Sequence, residues 1–168
     1  VTSGTVASAE LLARRLPPHV IHQFIPVDTV GAVERFLDHW RPDLGVLVES
    51  ELWPNLIAIA RERGVKLALL SARLSAKSVA TWARLPGGAR CVAGAFHLVM
   101  AQDEATAAGL VRLGARDDGR LNLKLAAEPL PVDADLLARE RSALDRRPLL
   151  LAASTHPGED ELALEAFA

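Results

Sequence analysis

Leu44-Gly45-Val46-Leu47-Val48-Glu49-Ser50-Glu51-Leu52-Trp53-Pro54-Asn55 carries the plan of the whole chain. Leu44 to Val48 is a short, continuous apolar run rich in β-branched residues, the composition of a parallel strand covered on both faces. Glu49, Ser50 and Glu51 end it. Pro54 then suits the first turn of a helix, where its missing N–H is not needed. In open α/β sheets ligands sit at the carboxyl ends of the strands, so two acids and a Trp at that junction are site candidates. The structural alternative is that Ser50 or Glu51 caps the helix while Trp53 packs in the core.

The same strand-then-helix unit recurs in both directions from this stretch. On the amino-terminal side, Thr2 to Thr5 reads as a loop at a strand end, and Val6 to Leu16 as a helix stopped by Pro17-Pro18. Val20 to Val27 reads as a strand. Asp28 or Thr29 caps a helix from Val30 to Trp40, whose Val33, Phe36, Leu37 and Trp40 share one face. On the other side, Pro54 to Arg63 is a helix closed by Gly64, and Val65 to Leu70 is a second continuous apolar strand, ended by Ser71-Ala72-Arg73. Ser75 caps a helix from Ala76 to about Leu85, with Pro86-Gly87-Gly88 as its stop. His97 to Ala101 is the next strand, Asp103 opens a helix to Leu113, and Arg120 to Leu123 is a short strand. Glu128-Pro129-Leu130-Pro131 reads as a linker, Asp133 caps a helix to about Leu144, and Pro148 to Ala153 is a further apolar strand. Such alternation predicts parallel strands joined by right-handed crossovers: an α/β, doubly wound parallel sheet.

Composition narrows the function classes. Of 168 residues, 50% are hydrophobic and 24% charged, enough to bury a sizeable core. A net charge of −2, with Lys and Arg scattered over helix faces, argues against a general nucleic-acid binder. A single Cys excludes an internal disulfide and points to a reducing compartment. No apolar run approaches the ~20 residues that span a bilayer. Val1 is not an initiator Met, and Ala168 falls inside what reads as a fresh amphipathic helix, so a piece of a longer protein is expected.

Parallel strands would bring their carboxyl ends to one edge. The residues gathered there are Thr2-Ser3-Gly4-Thr5, Asp28, Glu49-Ser50-Glu51, Ser71-Ala72-Arg73, Gln102-Asp103, Asn122 to Lys124 and Ser154-Thr155-His156. Acids, cations, hydroxyls and amides framed by helix N-termini suit a polar, hydroxyl-rich or phosphorylated ligand. Asp28, Ser75 and Asp103 read as caps before they read as catalysts. Arg73 is a poor cap behind a buried strand and reads as a ligand-binding or ion-pairing residue. The chain has no G-x-S-x-G, no G-x-x-x-x-G-K-[ST] and no G-x-G-x-x-G, which removes support for classical hydrolase, P-loop and dinucleotide readings. The five His show no H-E-x-x-H spacing, and His156-Pro157-Gly158-Glu159 lies at a strand-to-helix turn, so no metal is expected.

With these segments in view, the chain resembles the lipid A Kdo (3-deoxy-D-manno-octulosonic acid) transferases. Glu49-Ser50-Glu51-Leu52-Trp53-Pro54-Asn55 is similar to that family's E-T-E-L-W-P-N, and Ser71-Ala72-Arg73-Leu74-Ser75 with Ser78 to its N-A-R-L-S-x-x-S. Ala101-Gln102-Asp103-Glu104 followed by Leu113-Gly114-Ala115 resembles A-Q-S/D-E…L-G-A. Asn122-Leu123-Lys124 resembles the start of N-L-K-F/Y-D, and Ala153 to Asp160 resembles A-S-T-H-x-G-E-E. Two segments depart: N-L-K-F-D becomes Asn122-Leu123-Lys124-Leu125-Ala126, and the family's T-x-T-x-T-G-like loop survives only as Thr2-Ser3-Gly4-Thr5-Val6.

The resemblance implies an inverting glycosyltransferase of the two-Rossmann-domain, GT-B type. It would move Kdo from CMP-Kdo to a lipid A precursor at the cytoplasmic face of the bacterial inner membrane, touching that membrane peripherally and using no cofactor beyond its donor substrate. Residues 1–145 would be the Rossmann-like acceptor-side domain without its first strand and turn, and 146–168 the start of the nucleotide-sugar domain. Glu49 and Glu51 would support catalysis, the family's proposed base being a Glu in a Gly-rich turn upstream of Val1. The segment alone is therefore expected to be inactive. Thr2, Ser3, Trp53, Asn55, Ser71, Arg73, Ser75, Gln102, Asn122 and Lys124 would bind the acceptor side. Ser154, Thr155, His156 and Glu159 would serve the donor, Glu159 first as a cap. The readings from other classes are a non-catalytic sugar- or phosphate-binding α/β module and a GT-B-type nucleotide-sugar epimerase.

Overall fold

Strand and helix alternate through the computed structural model, which describes residues 1–126, 131–145, 147 and 149–167. The chain divides into two compact units, Val1–Ala126 and Ala127–Ala168. The first contains β1 (Thr2–Ser3), α1 (Val6–Arg15), β2 (Gln23–Phe24), α2 (Val30–Trp40), β3 (Leu44–Val48) and α3 (Pro54–Glu62). It continues through β4 (Lys66–Ala72), α4 (Ala76–Trp82), α5 (Pro86–Ala93), β5 (Leu98–Ala101) and α6 (Glu104–Arg112). Every ladder is parallel: β1 pairs with β2, and β3, β4 and β5 form a three-stranded sheet in that order.

The mixed α/β class with parallel strands agrees with the expectation, but the strands make two sheets, not one. β4 is the central strand and carries the core: Leu67, Leu69 and Ala72 pack with Val33 and Leu37 of α2, Ile57 and Ala60 of α3, Val99 of β5 and Leu110 of α6. β3 is instead an edge. Its alternate residues Leu44, Val46 and Val48 are 58%, 50% and 40% exposed, so the strand expected to be covered on both faces is covered on one. The strand expected over Val20 to Val27 shrinks to two residues, because its partner β1 ends where Thr5 caps α1 through the Ser8 N–H, 3.2 Å away.

Two further differences have local causes. Pro86 does not stop α4; it occupies the first turn of α5, where a proline costs no hydrogen bond, and Ala89, Val92 and Ala93 bury that helix. Arg120 to Leu123 forms no strand. It makes one parallel bridge, Ala101 to Arg120, and a Leu121 N–H to Ala101 C=O bond of 2.9 Å along the outer edge of β5. Ion pairs pin this segment: Arg120 to Glu104 and Asp117, and Arg116 to Asp118, whose carboxylate also accepts the Val99 N–H at 2.9 Å.

The second unit holds α7 (Ala134–Leu144) and α8 (Glu159–Phe167). Asp133 caps α7 by accepting the Asp135 and Leu136 N–H groups. Residues 149–153 form no strand, since no described segment of this unit offers a ladder. Residues 128–130 of the expected linker, and Pro148 of the expected strand, lie outside the described residues. Among the described residues no helix is long and apolar enough to cross a membrane.

Candidate functional site

The carboxyl ends of β3, β4 and β5 lie side by side, and three backbone features there shape the site. Glu49 continues the ladder through its N–H to Leu70 C=O, 3.1 Å, and then turns the chain at φ 60°. Ser71 has φ 53°. It sits in a bulge where β4 advances from Leu69 to Ala72 while β5 advances only from Val99 to Ala101. Such a bulge re-aims a side chain, and here it turns the Ser71 hydroxyl inward, leaving the residue 1% exposed. A non-glycine residue in the left-handed region costs about 1–2 kcal/mol, and two of them stand on adjacent strand ends.

The Ser71 hydroxyl accepts the Gln102 side-chain N–H at 3.1 Å and the Leu123 backbone N–H at 3.3 Å, and Gln102 also donates to the Ser71 carbonyl at 3.0 Å. This clamp seats the Asn122-Leu123-Lys124 turn, which Asn122 Oδ1 closes by accepting the Lys124 N–H at 3.0 Å. Lys124 Nζ then lies 2.9 Å from Glu49 Oε1. Ser50 donates its hydroxyl to the Arg73 carbonyl, tying the ends of β3 and β4 together. Arg73 itself is exposed and makes no ion pair among the described residues. Asp103, capping α6, is held below the usual carboxylate range by the Thr106 N–H and hydroxyl, with Arg73 adding to the effect.

Glu51 and Trp53 face a different feature. The indole N–H donates to the Glu51 carboxylate. Both line a groove of about 1080 Å³ together with Thr2 and Ser3. Glu49 and Glu51 are thus partnered separately, one by a lysine and one by an indole. Ser3 Oγ is hydrogen-bonded to His22 Nε2 at 2.8 Å.

Neither Ser50 nor Glu51 caps α3. Asp28 does, from the loop before α2: its carboxylate accepts the Asn55 N–H at 3.1 Å and the Leu56 N–H at 2.8 Å. The Asn55 side chain answers by donating to the Asp28 carbonyl at 2.6 Å. Thr29, beside it, begins α2 without a side-chain cap bond. Asp28 therefore caps the helix after next, a role its position beside α2 conceals. Asp28→Ala should cost about 1–2 kcal/mol, the upper part of the range for a lost helix cap, read as a lower urea midpoint at unchanged slope. Ser75 is committed locally: its hydroxyl caps α4 at the Ser78 N–H, 3.1 Å.

The expected set thus sorts into groups. Glu49, Ser71, Arg73, Gln102, Asn122 and Lys124 gather at the ends of the three-stranded sheet. Thr2, Ser3, Glu51 and Trp53 line the groove, and Asn55 and Ser75 serve helix starts. Ser154, Thr155, His156 and Glu159 belong to the second unit. There the His156 N–H donates to Glu159 Oε2 at 2.8 Å, a cap at the start of α8, and Ser154 turns the chain at φ 58°. The sequence places Asp28 at this edge as a cap for α2; that it reaches α3 instead, and that the Leu123 N–H joins the framework, no local pattern marks.

Comparison with known proteins gives a consistent result. Residues 1–126 match the family model described as 3-deoxy-D-manno-octulosonic-acid transferase (kdotransferase). The chain is similar to the 3-deoxy-D-manno-octulosonic acid transferase of Rickettsia felis, 38% identical over 165 residues, covering 98% of this chain and 35% of that protein. It is also similar to the transferase of the same name from Bordetella pertussis, 36% identical over 147 residues, covering 86% of this chain and 34% of that one. The probable mitochondrial enzyme of Arabidopsis thaliana is 46% identical over 82 residues, covering 49% and 18%. The chain spans about a third of the length of the Rickettsia and Bordetella relatives.

Proposed function

This chain belongs to the 3-deoxy-D-manno-octulosonic acid (Kdo) transferase family, and from that premise we propose that it forms the acceptor-side part of an inverting glycosyltransferase of lipopolysaccharide biosynthesis. The donor is CMP-Kdo and the acceptor a lipid A precursor, met at the cytoplasmic face of the inner membrane. No cofactor is invoked beyond the donor substrate. The architecture is GT-B, with residues 1–145 in the Rossmann-like acceptor-side domain and 146–168 opening the nucleotide-sugar domain. The family match over residues 1–126 carries this reading.

Inverting transfer requires removal of the acceptor hydroxyl proton and stabilisation of charge on the departing CMP phosphate. The base comes from outside residues 1–168. Glu49, turned out of β3 and held by Lys124, orients that base or the sugar hydroxyls. Arg73, exposed at the neighbouring strand end, meets an anionic group of the acceptor or the Kdo carboxylate. Ser154, Thr155 and His156 serve the donor.

Incubating the complete gene product with CMP-Kdo and a tetra-acylated lipid A precursor tests the proposal. CMP release in step with a Kdo–lipid product is expected. Release of CMP without the Kdo–lipid linkage, or no turnover of CMP-Kdo at all, would overturn it.

A further inference from the structure

The Glu49–Lys124 ion pair joins two well-anchored backbones through an exposed contact. On the lysine side, buried Ser71 accepts the Leu123 N–H at 3.3 Å, and Asn122 Oδ1 accepts the Lys124 N–H at 3.0 Å. On the glutamate side, the Glu49 N–H is bonded to the Leu70 carbonyl at 3.1 Å, and Ser50 ties the end of β3 to Arg73. The charged groups themselves meet at 2.9 Å in the open, and among the described residues neither belongs to a second ion pair. A pair so exposed is favoured only about twofold to fivefold over its separated charges. Glu49 nevertheless holds φ 60° at this place, a conformation that costs a non-glycine residue more than such a pair returns. The pair does not account for the strain.

The neighbouring charges are distributed unevenly. Arg73, on the adjoining strand end, makes no ion pair among the described residues. Asp103 is committed to the Thr106 N–H as the cap of α6, and Glu51 to the Trp53 indole. Among the described residues Glu49 is therefore the one carboxylate paired with either cation.

We infer that the Glu49 carboxylate is an internal substitute for an oxyanion of the ligand: an arriving phosphate or carboxylate group displaces Glu49 from Lys124 and takes its place, with Arg73 as the second cation. It rests on the function proposed above only in taking the ligand to be anionic. The exchange swaps one anion for another, so the clamp beneath Lys124 and the ladder beneath Glu49 stay as they are. A phosphate monoester carries about two charges near neutral pH and can engage both cations through charge-assisted hydrogen bonds, whereas Glu49 neutralises one. The displaced carboxylate remains on its strained turn, repelled by the new anion, and its oxygens are free to accept a hydrogen bond from a ligand hydroxyl. Filling the anion site thereby unmasks the acid beside it.

Acetic anhydride labelling of the complete gene product, read lysine by lysine by mass spectrometry, follows Lys124 directly and needs no turnover. Inorganic phosphate and formate are the two probes, and the one that protects Lys124 at the lower concentration identifies the ligand group as phosphate or carboxylate. Glu49→Gln removes the internal competitor and should lower the half-protecting concentration about twofold to fivefold. Glu51→Gln removes an equal charge two residues away and should leave it unchanged, while Arg73→Gln should raise it. Unaltered labelling of Lys66 and Lys77 reports that each variant is folded. Protection of Lys124 by neither anion, no gain from Glu49→Gln, or equal gains from Glu49→Gln and Glu51→Gln would overturn the inference. A protein that meets these expectations without transferring Kdo would sink the transfer reaction and leave the anion exchange standing; one that transfers Kdo without them would do the reverse.

Discussion

Glu49→Gly should leave folding stability unchanged to within about 1 kcal/mol while lowering Kdo transfer by about a hundredfold or more, the scale seen when one preorganised polar group leaves an active site. The two halves of this expectation have separate physical origins. Glu49 sits at φ 60°, a conformation glycine adopts freely and a glutamate holds at a cost of about 1–2 kcal/mol. Its ion pair with Lys124 joins side chains that are 41% and 67% exposed, and exposed pairs return only about 0.2–1 kcal/mol. Removing both therefore nearly balances. A carboxylate kept in a strained turn, at the end of a strand, is the pattern of a position shaped by chemistry at some expense of stability. Glu49→Gln separates charge from shape and should lose nearly as much turnover as glycine. Lys124→Gln should weaken transfer less, because the carboxylate remains. Single-turnover transfer from CMP-Kdo by the complete gene product, set beside urea denaturation, reads both quantities. A glycine variant that transfers Kdo at the parent rate would remove Glu49 from the reaction. One that loses stability and activity together would make it a structural residue.

Ser71→Val should be the most damaging single change at the rim, costing about 3–4 kcal/mol, or about 11–15 °C in Tm for a unit of this size. Valine has the volume and hydrophobicity expected in an apolar strand, so sequence reasoning would tolerate it. Two terms oppose it. The hydroxyl accepts the Leu123 N–H and one Gln102 N–H in a site only 1% exposed, and a buried donor left unpaired costs about 1–3 kcal/mol. Branching at Cβ also crowds a backbone held at φ 53°, for which strained residues pay about 1–3 kcal/mol. Two companions divide the terms. Ser71→Ala removes the hydroxyl alone, and Ser71→Thr keeps the hydroxyl and adds only the methyl, so each should cost about half as much. The same clamp seats Lys124, so alanine should also raise the exchange rate of the Leu123 amide. Equal stability of valine and serine at this position would mean that the hydroxyl bears no part of the packing.

The organisation of the fold was legible in the chain to a useful degree. Apolar runs located β3, β4 and β5, Ser75, Asp103 and Asp133 marked helix starts through bonds spanning two or three residues, and Gly64 took the positive φ expected of a helix stop. Order along the chain also placed the polar breaks at Glu49, Ser71 and Gln102 at strand ends. Pro86 was misread because proline serves equally to stop one helix and to begin the next, and the burial of Ala89, Val92 and Ala93 decides between the two.

What the amino-acid sequence determined by itself is therefore local: which segments are strands, where helices begin, and that strands and helices alternate in a parallel α/β order. Each of these depends on hydrogen bonds or side-chain periods closed within a few neighbouring residues. Tertiary structure alone decided that Asp28 caps α3 across 27 and 28 positions, that Ser71 is a buried bulge joined to Leu123 across 52, that Lys124 meets Glu49, and that β3 is an open edge beside a groove. Those contacts follow from strand register and packing, and a shift of one residue in register would have turned the same side chains to the opposite face.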